Sequence, residues 1–328
     1  MINFCQFGAG RIGAIHAGNI AAHPEARLKL VVDPDRTAAE RLAVKHGAAV
    51  RTEAEALADP QIHAVVIASA TDTHAGLVEA AARAGKAVFC EKPLDLDRGR
   101  AEACVAVARQ CAVPLMVGFN RRFDPHFARL ERQLRDGRIG TLELLTITSR
   151  DPAPPPLDYI RRSGGLFRDM TIHDFDMARW LLGEEPVEVY AAASVLVDPA
   201  VGKAGDVDTA IVTLRTVSGA LCQISNSRRA VYGYDQRIEA FGSKGALQAG
   251  NVTETTVMFS GEAGVTGDKP LHFFLERYAK AYRRELDHFV AAVSAGTAPL
   301  VTGEDGVKAL ALADAAAESV RSGRPAVV

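Results

Sequence analysis

The sequence predicts an α/β protein of two domains, a helix-covered parallel sheet followed by a region where mainly antiparallel strands dominate. Three observations carry this. At 328 residues the chain is longer than one ordinary core organises. From Ile2 to Gly118, short apolar runs alternate with helix-like segments, the pattern of parallel β-α-β units. After Gly118 that alternation stops, and strands with apolar and polar residues in turn take over. The expected domains are 1–119 and 120–328, with the C-terminal helices able to pack back on the first.

In the first domain, strands are expected at 2–7, 28–32, 64–68, 87–90 and 115–117. They are nearly all apolar, as strands covered on both faces should be. Segments 37–46, 75–84 and 98–110 repeat apolar residues every three or four positions and predict helices with one buried face. In the second domain, 127–136 reads as a helix closed by Gly137, and 142–148 as a strand. A proline-rich loop follows at 152–156, then a helix from about 170 to 182 ended by Gly183. Strands are expected at 187–197, 208–214, 220–226, 236–241 and 254–259. The chain returns to helix from 275, with a break around 296–306.

Composition narrows the function classes. A formal net charge of -2 argues against nucleic-acid or anionic-membrane partners, and pairs such as Arg121-Arg122, Arg161-Arg162 and Arg228-Arg229 are too short to change that. Cys5, Cys90, Cys104, Cys111 and Cys222 are odd in number and show no C-x-x-C spacing, so neither a disulfide framework nor a zinc site is expected, and a cytoplasmic home is. The start lacks the pattern of a signal peptide, and no run approaches the roughly 20 apolar residues of a membrane span. The histidines are scattered without a ligand pair, so no metal is expected.

Gly8-Ala9-Gly10-Arg11-Ile12-Gly13 is a G-x-G-x-x-G directly after a strand and opening a helix. There Gly8 permits the tight turn, Gly10 lets backbone approach a pyrophosphate, and Gly13 lets helix and strand pack. Gly8, Gly10, Arg11 and Ile12 thus become candidates for a dinucleotide site. Asp33 ends the second strand, where a carboxylate accepts from a ribose diol and repels a 2′-phosphate, favouring NAD over NADP. Asp33 could instead cap the next helix, and Arg36 could meet a phosphate. Ser69, Thr71 and His74 follow the 64–68 strand, and Glu91-Lys92-Pro93 follows the next; both strand ends open onto the crevice where such sheets bind ligands. Ser69 and Thr71 could equally cap the helix beginning near His74.

Asp169 and His173 are four apart and share a helix face. A carboxylate holds a histidine in one tautomer while the other ring nitrogen takes a proton. Asp176, at i+3, is an alternative partner, and local stability alone is the simpler explanation of the pair. Taken together, the glycine motif, Glu91-Lys92-Pro93, Gly118-Phe119-Asn120-Arg121-Arg122-Phe123-Asp124 and Asp169-x-x-x-His173 resemble the Gfo/Idh/MocA oxidoreductase family over essentially the whole chain. Within it, Thr148-Ser149-Arg150-Asp151-Pro152, the His173 helix and Tyr232-Gly233-Tyr234-Asp235 look most like the inositol dehydrogenases.

The resemblance implies a Rossmann NAD-binding domain, an α/β domain with a large open, mainly antiparallel sheet, and tetramers assembled through those sheets. It implies oxidation of a polyol, myo-inositol at C2, with hydride passing to NAD. Lys92 would touch the reacting hydroxyl and the cofactor. His173 would be the base, oriented by Asp169, while Asp151 and Tyr232 or Tyr234 would hold other ring hydroxyls. Some inositol dehydrogenases carry His and Asn around the arginine matching Arg150, where this chain has Ser149 and Asp151. Another cyclic polyol or an aldopyranose would suit the same residues. A non-catalytic sensor of NAD and sugar would not need Lys92, Asp169 and His173 together.

Overall fold

The computed structural model describes residues 1–328. They form two compact units, Met1–Asn120 with Ala281–Leu310 and Arg121–Lys280 with Ala311–Val328.

The first unit holds a six-stranded sheet of β1 (Ile2–Phe7), β2 (Ala26–Val32), β3 (Ala49–Val50), β4 (Ala64–Ile67), β5 (Ala87–Cys90) and β6 (Leu115–Val117). The order is β3-β2-β1-β4-β5-β6, and every pair is parallel. Strand order reverses direction between β1 and β4, so their carboxyl ends open the crevice used by nucleotide ligands in such folds. The strand interiors are buried because helices Arg11–Ala22, Arg36–His46, His74–Arg83 and Arg98–Gln110 return the chain after each strand. Residues 281–310 complete this core. Phe289 packs at 6.2 Å from Phe4 and 5.6 Å from Phe89, centroid to centroid. Each such buried ring contributes roughly 1.5–3 kcal/mol.

The second unit is built on β7 (Leu142–Arg150), β8 (Pro186–Ser194), β9 (Thr209–Thr216), β10 (Leu221–Ser227), β11 (Asp235–Gly242), β12 (Gly245–Ala249) and β15 (Ala326–Val327). A separate hairpin joins β13 (Met258–Gly261) to β14 (Gly264–Gly267). The large sheet runs β12-β11-β7-β10-β9-β8-β15. All its neighbours are antiparallel except β7 and β10. Side chains alternate: Leu145, Ile147, Val212, Leu214, Cys222 and Ile224 are buried, and helix Ile172–Leu182 packs against β7. The opposite face is open. Phe241, Leu144, Leu221, Arg215 and Glu188 form one row across it, and Ile211 and Tyr190 lie beside that row, both exposed.

Several boundaries differ from expectation for local reasons. The strand expected to reach 197 stops at Ser194, because the Asp208 carboxylate accepts from the amides of Leu196, Val197 and Asp198 and turns the chain. The expected strand at 254–259 begins only at Met258. The helix expected from about 170 starts as a π-turn, Phe167–Thr171, before the α-helical Ile172–Leu182. Residues 296–302 form the break before the last helix, Gly303–Ser322, whose start is closed by Thr302 and Asp305.

Candidate active site

In the first unit the glycine loop is shaped by contact. Gly8 has φ +96°, and a Cβ there would lie 2.4 Å from the Ala68 carbonyl oxygen. A Cβ on Gly13 would lie 2.1 Å from the Gly8 oxygen. Around Gly10 nothing comes within 4 Å of that position, so backbone is open to a ligand. Gly10 precedes helix Arg11–Ala22 and supplies no side-chain cap. A helix start of this kind, at Arg11 and Ile12, is suited to an anion such as a pyrophosphate. These residues fit a dinucleotide.

Asp33 does not cap the next helix; Asp35 does, accepting from Ala38 N. Asp33 accepts instead from Ala9 N at 2.6 Å and from Asp35 N at 2.7 Å. The carboxylate thus staples the β2 end to the glycine loop, and its remaining lone pairs suit a ribose diol. Arg36 is exposed and leans along its own helix to Glu40, at 2.8 Å.

The loops after β4 and β5 are tied together. Ser69 Oγ lies 2.6 Å from Thr73 Oγ1, and Thr71 opens the short 3-10 turn before His74. His74 was expected to face the cofactor. Its ring is buried, with Nδ1 2.8 Å from the Pro93 carbonyl and Nε2 3.2 Å from that of Ser69. Its position is that of a bracket under the cis Lys92–Pro93 turn, and burial pulls its pKa down. Glu91 is held from beneath by His16, Oε1 to Nε2 at 2.7 Å, with the imidazole edge-on to Phe89 and Tyr282. Lys92 is thereby fixed at the end of β5 between two anchored neighbours.

In the second unit β7 runs on through Asp151, whose N–H donates to the Ser227 carbonyl. Strand alternation puts Ser149 and Asp151 on the helix side and Arg150 on the other. Ser149 Oγ is buried between Arg121 Nη2, at 3.2 Å, and Gln236. Asp151 and Asp169 both face Arg228, at 3.6 and 3.2 Å. Burial pushes the Asp151 carboxyl up to about 6, Asp169 adding to the rise and Arg228 and Arg121 opposing it. Asp169 sits on the π-turn and also accepts from Tyr159 Oη at 2.8 Å. His173 is the second residue of the α-helix that follows. Asp176, weighed as its partner, receives two hydrogen bonds from Arg122.

The two tyrosines separate. Tyr232 Oη donates to Asp235 at 2.6 Å and accepts from Arg150 at 3.1 Å, and Asp235 also receives Arg237 and Asn251. Tyr234 is buried edge-on to Tyr278; burial holds its pKa well above the ordinary value, and Arg121, Asp151 and Asp174 are among its charged neighbours. Of the pair, Tyr234 shares the Asp151 cluster. Gly118–Asp124, read only as a family signature, supplies the frame: Arg121 pairs with Asp174 at 2.5 Å, and Asp124 caps helix Pro125–Arg135 and pairs with Arg277. Sequence reasoning missed His16, Tyr159, Asp174, Asn226 and Arg228. Only the last two carried a signal, as polar residues continuing the inward set of β10.

Residues 2–119 match the NAD-binding Rossmann fold of the Gfo/Idh/MocA oxidoreductase family, and 131–328 match its C-terminal alpha/beta domain. The chain is 55% identical to the inositol 2-dehydrogenase of Rhizobium meliloti over 98% of both chains. It is 52% identical to the myo-inositol 2-dehydrogenase of Thermotoga maritima, over 97% of this chain and 96% of that one. The crystal structure of a myo-inositol dehydrogenase from Corynebacterium glutamicum superposes with a TM-score of 0.96 at 45% identity, covering 100% of this chain and 99% of that one. A scyllo-inositol dehydrogenase from Lactobacillus casei, solved with NAD(H) and scyllo-inositol bound, gives 0.92 at 30% identity, with the same coverage. Glycine loop, strand order, Glu-Lys-Pro turn and matched domains lead to one conclusion: the chain belongs to the Gfo/Idh/MocA family of NAD-binding oxidoreductases.

Proposed function

We propose that this protein is an NAD-dependent inositol 2-dehydrogenase that oxidises myo-inositol at C2 to 2-keto-myo-inositol (scyllo-inosose). The observation that carries the reading is the 55% identity to an inositol 2-dehydrogenase along 98% of both chains. The side chains collected in the second unit support it. Asp151 and Asp169 face Arg228, Tyr159 donates to Asp169 and Tyr234 neighbours Asp151, a set of donors and acceptors whose charges are already paired, as suits a neutral polyol.

NAD, when bound, accepts the hydride. Gly8, Gly10, Arg11 and Ile12 hold its pyrophosphate, Asp33 its ribose, and Ser69, Thr71 and Glu91 line the strand ends beside it. His74 acts through the turn it anchors. Lys92 stabilises negative charge developing on the reacting oxygen. His173 takes the hydroxyl proton, with Asp169 orienting the ring. Asp151 and Tyr234 hold neighbouring hydroxyls. A second reading, scyllo-inositol as the substrate, is favoured by more distant relatives, a scyllo-inositol 2-dehydrogenase of Bacillus subtilis at 37% identity and the Lactobacillus casei enzyme at 30%.

Two further assignments belong with this reading. The open face of the large sheet, with Leu144, Ile211, Leu221 and Phe241 exposed, supports assembly as a homotetramer through paired sheets. Five cysteines without a disulfide support a reducing, cytoplasmic location. No helix is long and apolar enough to cross a membrane.

The experiment is NADH formation over a panel of inositol isomers and pyranoses, with the ketone identified by NMR. Myo-inositol should give the highest kcat/KM. Glucose or scyllo-inositol surpassing it would replace the substrate and leave the hydride-transfer chemistry standing.

A further inference from the structure

Arg228 lies among the proposed site residues but takes no part in the chemistry assigned to them. It continues the inward set of β10, since Cys222, Ile224, Asn226 and Arg228 fall on alternate residues and all are buried. Pairing runs past Ser227, because Arg228 N donates to the Asp208 carbonyl at 2.8 Å. Backbone therefore dictates where this guanidinium goes. It is 1% exposed, with Nη1 3.6 Å from Asp151 and Nη2 3.2 Å from Asp169. Its Nε is buried with no hydrogen-bond partner.

Stability alone explains this arrangement poorly. A buried ion pair offsets its desolvation only when geometry is excellent and every donor is met. Here one contact is long and one donor is unmet.

We propose that Arg228 is a positioning residue that keeps Asp151 and Asp169 as two separate anionic acceptors, and so tunes the site to a neutral polyhydroxylated ring. The inference rests on the reading above, in which these two carboxylates meet ring hydroxyls. Neighbouring carboxylates resist joint ionisation, and one of them takes up a proton. A protonated Asp151 would present a donor where an acceptor is needed. One guanidinium facing both suppresses that, and its planar fork fixes the direction of each carboxylate. Asp151 is faced by Arg228, Asp169, Arg121, Asp174 and Tyr234. Asp169 is faced by Arg228, Asp151 and Tyr159, with His173 one turn further along the helix. Arg121 is committed to Asp174 at 2.5 Å. Arg228 is the cation that answers to both acids.

The test compares full-length wild type, R228M, R228K, D151N and the R228M/D151N double variant, following kcat and kcat/KM for myo-inositol from pH 5.5 to 9.5 at saturating NAD. In kcat/KM, which reports the free enzyme, R228M should move the acidic limb up by roughly one unit or more. On that limb, near pH 5.5, a shift of one unit is a loss of roughly eightfold to tenfold, shrinking to about twofold at neutral pH. In kcat the limb should stay put, because a bound hydroxyl already fixes Asp151 as the acceptor. R228K keeps the charge but not the fork, and should move the limb less in the same direction. In the double variant the limb should coincide with that of D151N. NAD affinity should be unchanged throughout.

A loss of the same factor at every pH, or an unshifted limb, overturns the proposal. Where R228M does not fold, R228K decides by the same criterion. Failure of the underlying reading looks different: D151N would match wild type in kcat/KM, and the inference would fall with it.

Discussion

The two units position their functional groups by opposite means. In the first, the loop from Gly8 to Gly13 is defined by exclusion, since a single added carbon at either end strikes backbone. In the second, Arg121, Arg228 and Arg277 are buried against Asp174, Asp151, Asp169 and Asp124, and position comes from paired charge. Steric definition is indifferent to pH and nearly all-or-none. Charge definition is graded and titrates. On the proposed reading, a cofactor common to many enzymes would be held mainly by backbone, and the more particular substrate by side chains.

That contrast can be tested, beginning with its largest expected effect. His173→Ala should lower kcat by roughly 10²–10⁴-fold, the range of a lost general base. NAD affinity, read by fluorescence titration, should stay the same. A variant that keeps most of its activity makes His173 a packing residue and moves the base elsewhere.

Asp174→Ala strands the buried Arg121 guanidinium without its carboxylate. Breaking such a pair costs about 3–5 kcal/mol, which urea unfolding would read directly. A change below about 1 kcal/mol would mean that the second unit's interior is not set by its ion pairs.

Asp151→Asn isolates the titratable part. The folded carboxyl holds its proton to about 6, against 3.8 for an ordinary aspartate. Between those values the folded state binds more protons than the unfolded one. The group's contribution to stability is therefore present below the lower value and is lost as pH rises through about 6. The span is up to roughly 3 kcal/mol. Unfolding free energy of wild type minus that of the variant should fall from pH 4 to 6 and level off above. A flat difference would assign Asp151 an ordinary pKa.

Asp33→Ala removes both an acceptor and the staple to Ala9 N. NAD affinity should drop about 10–100-fold, the value of a charge-assisted hydrogen bond, and NADP less, narrowing the preference. An equal loss for both would make Asp33 a scaffold residue only. Arg36→Ala should be the smallest change of all. Its guanidinium is 84% exposed beside Glu40, so Tm and the NAD-to-NADP ratio should be unaltered. A loss confined to NADP would show that Arg36 reaches a 2′-phosphate after all.

How much was legible in the sequence follows the same division. The five longer strands of the first sheet announce themselves as apolar runs, and the glycine spacing states its own geometry. The two-residue β3, Ala49–Val50, is too short to carry a period. In the second unit the strands were readable by alternation, but their pairing order was not, and the parallel contact of β7 with β10 depends on long crossovers. Asp169 and His173 could be found from spacing. Their partners could not: Tyr159 and Arg228 come from a short helix and a strand end far apart in the chain. Nothing local distinguishes Arg228, buried, from Arg229 beside it, exposed, except the period of two running back to Cys222.

The chain leaves the first unit at Asn120 and returns to it only at Ala281. On the ribosome, the N-terminal sheet must wait for its last aromatic layer, Tyr282 and Phe289, until the whole of 121–280 has been made. At typical translation rates that interval is on the order of 10 s. During it, one side of Phe4 and Phe89 lacks its native cover, while the sheet of the second unit is itself incomplete, since its strand β15 follows later still in the chain. A nascent chain stalled in this window is the species most exposed to chaperones and to aggregation.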